Sequence, residues 1–295
     1  MKATGRALRS TCKLFGSQRK LWLPFLLTGI FEACLVGLAW LAPFPPFAKY
    51  LAPPIRYFFS DRVLHYPWHM WFLFHVMQYT HLIASTLAGA FLTGIACVMV
   101  KQTHDHHPIS LREALVSRHV AYGRTVILWL IAWGVASGVM RALAVTLKGQ
   151  QLLWSNVAAL LVLQMLFIYA IPVAAFESVS WWKALIRGVR EVLRYPFSTL
   201  IVVALPSALA IGFSMLIPSS RVLQLMMRFV PEIAIPLAVL RLVVWIAVDA
   251  WMTISIAQLW CVHRAIPRTV LKKPARSSSI PTITPAALEQ SHAAV

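Results

Sequence analysis

The chain has 295 residues, of which 59% are hydrophobic and 12% charged, with a formal net charge of +18. A water-soluble domain carries about 45–50% apolar and about 25% charged residues, and the mean hydropathy here is +0.72. Too little polar side chain is present to cover a solvated surface, which excludes a soluble enzyme, a disordered chain and a secreted disulfide scaffold. An all-α, polytopic transmembrane bundle remains.

In chain order, residues 1–20 form a basic amphipathic segment with Lys2, Arg6, Arg9, Lys13, Arg19 and Lys20. Residues 21–260 hold the membrane domain. A helix crossing about 30 Å of hydrocarbon needs about 20 residues, and six runs qualify: Leu21–Ala42, Met70–Val100, Arg124–Leu147, Leu152–Phe176, Pro196–Ile217 and Leu237–Trp260. The second is too long for one upright span, so it tilts or begins as a helix on the outer surface. Trp22, Trp40, Trp68, Trp71, Trp154 and Trp260 fall near run boundaries, where indole rings favour the headgroup level.

Between the first two runs, residues 43–69 hold Pro43, Pro45, Pro46, Pro53, Pro54 and Pro67 among aromatic residues. Prolines oppose a long helix, so this segment is expected to cap the outer surface. The stretch Pro218–Pro236 reads as short and amphipathic, with Arg221 and Arg228 facing water. Residues 261–295 are basic and rich in Pro, Ser and Thr, with no apolar period, and read as a disordered tail.

Of the 27 Lys and Arg, 19 lie in the two terminal segments, the segment after run two and the segment after run four. The positive-inside bias therefore places both termini in the cytoplasm of a bacterial inner membrane. The excess charge flanks apolar runs, and no nucleic-acid-binding motif accompanies it. The partners expected are membrane lipids and a membrane-protein subunit.

The two long cytoplasmic segments repeat at a separation of 70 residues. Ser110-Leu-Arg-Glu-Ala114-Leu115-Val116 aligns with Ser180-Trp-Trp-Lys-Ala184-Leu185-Ile186, and Arg124 with Arg194. Ser110 and Glu113 have capping-box spacing. In the second copy Lys183, Arg187, Arg190 and Arg194 line one helical stripe. Such a cytoplasmic interfacial helix suits anionic headgroups, at about 1 kcal/mol per basic residue. A regulatory or partner-docking helix is the other reading.

The string Glu177-Ser-Val-Ser180-Trp-Trp-Lys-Ala184-Leu185-Ile-Arg187 resembles a motif of uncharacterised bacterial six-span proteins. These are similar to the membrane domain attached to some glycerophosphodiester phosphodiesterases. The resemblance covers residues 70–260 and implies a six-helix architecture without an assigned catalytic residue. It does not carry over the phosphodiesterase activity.

Ionisable residues inside spans are costly and are functional candidates by default. Glu32 and Asp249 fall near the centres of runs one and six, and Arg141 and Arg241 in the outer parts of runs three and six. His75 and His81 lie in run two, with Gln78 between them. One reading joins these six residues in an outward-opening pathway, with Glu32 and Asp249 as proton or cation sites and Arg141 binding an anionic group. In the other, Glu32 pairs with a neighbouring Arg or His and Arg241 snorkels to the interface. Gly29, Ala33 and Gly37 form a small-residue ridge suited to close helix contact, while Pro172 and Pro206 are candidate kinks.

No metal or cofactor is expected. Runs three to six lack histidine, and His75 and His81 are about 240° apart around a helix, which disfavours haem. His104-Asp105-His106-His107 reads as a solvated loop cluster. The four cysteines lack metal-ligand spacing and read as reduced thiols. No zinc-protease, nucleophile-elbow or phosphate-loop motif occurs. The leading expectation is a non-catalytic accessory or scaffold protein binding anionic headgroups and a partner. The alternative is a transporter or permease component for a small or lipid-like anionic solute.

Overall fold

The computed structural model describes residues 2–117, 121–216 and 230–265, and among them the regular structure is entirely helical. The expected amphipathic stretch around Arg221 and Arg228 and most of the tail lie outside the described residues. Helix α1 (Lys2–Ser17) leads through a 3₁₀ turn into α2 (Leu23–Leu41). Next come α3 (Ala48–Phe59), α4 (Trp68–Ala84), a π-helical turn at Ser85–Gly89 and α5 (Ala90–His104). The short α6 (Leu111–Val116) precedes α7 (Tyr122–Thr146), α8 (Gly149–Phe167) and α9 (Ala170–Glu177). Helices α10 (Trp181–Arg194), α11 (Pro196–Leu216) and α12 (Ala234–Ala265) complete the bundle.

Among the described residues, five helical segments are long and apolar enough to cross a membrane: Arg19–Leu41, Tyr79–His104, Tyr122–Thr146, Gly149–Glu177 and Ala234–Arg264. The bent pair α10–α11 is the sixth candidate, with an angle of 100° at the break. Successive spans pack as hairpins, α2 against α4, α7 against α8 and α11 against α12, while α5 sits between α12 and α9.

The long second run is a helix that begins at Trp68 and passes through the π turn. Prolines act differently at two places. Pro172 lacks the N–H that would bond to Ile168, and the span breaks between α8 and α9. Between α2 and α4, the expected bar to helix is not absolute: α3 holds Pro53 and Pro54 in its interior. The carbonyls they leave without an intrahelical donor belong to Lys49 and Tyr50, both exposed residues.

The start of the expected tail is also revised, because α12 continues to Ala265. Cys261 and His263 are buried there. His263 stacks on Tyr195 at 3.7 Å between ring centroids, and the Arg264 guanidinium lies 4.5 Å from the Trp260 ring centroid. Burial and ring contacts hold these residues in the helix.

The repeat is visible as two entries into helix, each with a serine at the N-cap position. Ser110 Oγ accepts from Glu113 N at 3.3 Å, but Ser110 N donates to Gln102 Oε1 instead of to Glu113. Half of the expected capping box forms. Ser180 is the N-cap residue of α10 and makes no side-chain capping bond. The two copies meet where Arg124 Nη1 donates to the Val179 carbonyl at 2.7 Å.

Glycine permits two close approaches. A Cβ at Gly29 would overlap the Ile246 side chain, so α2 and α12 touch there. A Cβ at Gly188 would lie 3.1 Å from the Ala170 backbone nitrogen, so α10 is pressed onto the start of α9. The rest of the expected ridge does no such work: Ala33 is exposed and Gly37 has nothing within 4 Å of a built Cβ. Gly188→Ala is expected to destabilise by about 1–3 kcal/mol through overpacking against backbone. Gly37→Ala should be neutral or stabilising by up to about 1 kcal/mol. Denaturant titration of both variants in the same detergent checks the contrast.

Candidate functional site

Glu32 is buried on α2, with its side chain 7% exposed. An ionised carboxylate in this setting needs a matched partner, and His81 of α4 supplies one, with Nδ1 3.0 Å from Glu32 Oε2. The other ring nitrogen, Nε2, is 3.4 Å from Ser85 Oγ, one turn further along the same face. The indole of Trp245 on α12 stands 5.0 Å from the His81 ring, centroid to centroid. Two other helices and its own thus fix the imidazole: α2 by the carboxylate, α12 by the indole and the π turn that continues α4 by the hydroxyl.

This chain of polar groups opens onto a cavity of about 290 Å³ between the helices. Glu32, His81, Ser85 and Asp249 form its polar pole, while Phe25, Trp129, Phe167 and Ile246 are among its apolar walls. Asp249 is midway along the span Ala234–Arg264. It interacts electrostatically with His81 and Glu32, but has no hydrogen-bond or ion-pair partner among the described residues. A π-helical turn widens a helix locally and often marks a functional position; here it presents both Ser85 and Gly89 to the cavity.

The structure brings together three of the six pathway residues, Glu32, His81 and Asp249. Arg241 sits two turns before Asp249 and attracts Glu32 electrostatically without lining the cavity. His75 is on α4, and its side chain lies outside the described residues. Arg141 is exposed on α7 and is not part of the wall. The wall positions of α7 are Trp129, Ala132 and Ala136, a 3–4 spacing along one stripe. Arg141 is five residues beyond Ala136, about 140° around the helix from that stripe.

Ser85, Gln164, Trp129 and Trp245 are wall residues that the sequence reading did not single out. Two carried a readable signal. Ser85 follows His81 at i+4, and Gln164 is a polar residue within an otherwise apolar span. The tryptophans had none, because a lipid-facing indole and a cavity-facing indole are the same residue in sequence.

The basic stripe of α10 has a different setting. Lys183, Arg187, Arg190 and Arg194 are all exposed, whereas Ala184, Gly188 and Val192 are buried against the bundle. Arg187 also pairs with Glu177 at the end of α9, and Glu177 receives Arg264 from the end of α12 as well. One carboxylate therefore ties α9, α10 and α12 together. Among the described residues, no group of three or more His, Cys, Asp or Glu is arranged to hold a metal ion.

No family model, curated protein or solved structure matches the chain.

Removing one partner of the Glu32–His81 pair leaves the other unmatched beside the cavity. Because His81 is 33% exposed, the usual cost of breaking a buried pair is reduced. Glu32→Leu is expected to destabilise by about 1–3 kcal/mol. The double variant Glu32→Leu/His81→Phe should recover part of that loss. Equilibrium unfolding of the two single variants and the double variant measures the coupling.

Proposed function

We propose that the protein is a membrane-embedded binding or transport component for a small, lipid-soluble ligand. The single observation behind this reading is the mid-span cavity with Glu32–His81 and Asp249 at its polar pole. Binding sites of small molecules are concave, mostly apolar, and carry a few convergent polar groups that set orientation. This cavity has that composition, and its ionisable residues sit where the bilayer penalises them most. The absence of Arg141 from the wall removes the cation that was expected to bind an anionic group. Placement in a bacterial inner membrane, with both termini cytoplasmic, rests on the Lys and Arg bias and belongs to the same proposal.

The experiment is native mass spectrometry of protein released from lipid nanodiscs. Wild type should retain a small molecule that is absent from Leu163→Trp, in which an indole fills the cavity. A wild-type spectrum with no bound small molecule and a stoichiometric protein partner would replace this reading with the scaffold reading.

One observation favours the scaffold reading in its lipid-binding form. Lys183 and Arg190 are exposed on α10 and have no ion pair among the described residues, and α10 lies at 100° to the span that follows it. A helix roughly perpendicular to a span lies along the membrane surface, where basic residues meet anionic headgroups. Lys183→Glu/Arg190→Glu is expected to lower retention of phosphatidylglycerol in the same spectra several-fold. Unchanged retention would count against headgroup binding by α10.

A further inference from the structure

Resting on the ligand-site reading above, we infer that the occupant is a lipophilic amine that binds as its cation and reaches the cavity sideways from the acyl-chain region. The charge layout carries the first half. His81 is hydrogen-bonded to Glu32, and Arg241 directs its attraction to the same carboxylate. Glu32 thus takes both the hydrogen bond of His81 and the attraction of Arg241, while His81 attracts Asp249 only at a distance. Asp249 remains on the wall with no hydrogen-bond or ion-pair partner among the described residues. A protonated amine supplies the N–H donors that this carboxylate lacks and a positive charge in direct contact with it.

The walls complement the rest of such a molecule. Aromatic rings of Phe25, Trp129, Phe167 and Trp245 line the cavity, Trp245 beside His81, and ring faces attract cations, most strongly where water is excluded. The volume of about 290 Å³ is at the small end of the roughly 300–1,000 Å³ typical of ligand sites. It suits one ring with a short chain rather than a two-tailed lipid.

The route follows from α8. Leu160 is 42% exposed, and Gln164 is exposed, yet both belong to the cavity wall. A residue can be both only where the cavity meets the outer surface of the bundle. Gln164 is close to the middle of the span Gly149–Glu177, so this opening faces acyl chains rather than water. On its outer side Ser207 of α11 donates to Gln164 Oε1 at 2.8 Å, which holds the side chain at the rim. An amine partitions into the bilayer in its neutral form and takes up a proton beside Asp249.

Three isosteric probes test the inference: 4-phenylbutylamine, 4-phenylbutanol and 4-phenylbutyrate. Tritiated 4-phenylbutylamine is bound to the full chain in nanodiscs, with empty nanodiscs as the partition control, and is displaced by each unlabelled probe. The expected result is at least tenfold stronger displacement by the amine than by the alcohol or the acid. Asp249→Asn should lower amine affinity at least tenfold, and Asp249→Glu should retain the preference for the amine. Gln164→Trp should slow association severalfold. If the alcohol or acid competes as well as the amine, and Leu163→Trp abolishes binding, the ligand site stands and the cation assignment falls. Wild-type association unaffected by Gln164→Trp overturns the lateral route. Specific binding of none of the three overturns the cation assignment and counts against the ligand site itself.

Discussion

A carboxylate inside a hydrocarbon-embedded bundle must be matched, and the matching of Glu32 organises the centre of this protein. The partner cannot come from α2 itself, so α4 brings His81 to it and α2 packs along α4. Gly29, one turn before Glu32 on the same helix, lets Ile246 of α12 approach closely enough to close the other side. The imidazole is then held between a carboxylate and an indole. What stays open beside this packed polar pair is the cavity, and on its wall lies Asp249, which His81 attracts without a hydrogen bond or ion pair among the described residues.

The two ends of the bundle are fastened by different means. At one end Glu177 receives Arg187 and Arg264, so the end of α9, the middle of α10 and the end of α12 share one carboxylate. The positive-φ residue Ser178 follows, and turns the chain from α9 towards α10. At the other end Tyr66 Oη donates to Glu232 Oε1 at 2.9 Å, linking the segment before α4 to the start of α12. Its own backbone hydrogen bond, and then the Tyr66 bond, hold the Glu232 carboxyl below its ordinary range, and the same Tyr66–Glu232 bond raises the phenol. Nearby, Asp61 accepts from Arg56 and His65, whose bonds keep its carboxyl below the usual value. These contacts are exposed, and water screens them strongly. At that end the helix ends are therefore held more by packing than by these ion pairs.

Much of the architecture was legible in the apolar runs, and the reasons for the misses are specific. A run of the right length has few alternatives in a bilayer, because unpaired backbone groups are too costly there. The runs at Arg124–Leu147 and Pro196–Ile217 accordingly fall close to α7 and α11. Glu32, His81 and Asp249 could be singled out because ionisable residues stand out against apolar neighbours. Arg141 stands out equally, yet it lies about 140° from the wall stripe of its helix. Composition marks a costly residue without saying which way its helix is turned. Arg187 shows the same limit, since its place in a surface stripe gave no sign of its pairing with Glu177. The π turn and the α8–α9 break differ in the same sense: Pro172 is visible in the sequence, whereas nothing in Ser85–Gly89 announces a widened turn.

The sequence by itself determined that the chain is helical and suited to spanning a membrane. It also set which positions carry the charges that such an environment penalises. Those properties follow from composition and from runs along one dimension, where the cost of exposing polar backbone or burying polar side chains is local. Only the tertiary structure decided which charges meet. Pairing His81 with Glu32, leaving Asp249 on an open wall and sending Arg141 to the outside depend on the rotation of each helix about its own axis. That rotation is set by contacts between side chains far apart in the chain: Gly29 with Ile246, Gly188 with the start of α9, and Trp245 with His81. A shift of one residue turns a helix by about 100°, enough to move a charge from the cavity to the lipid face.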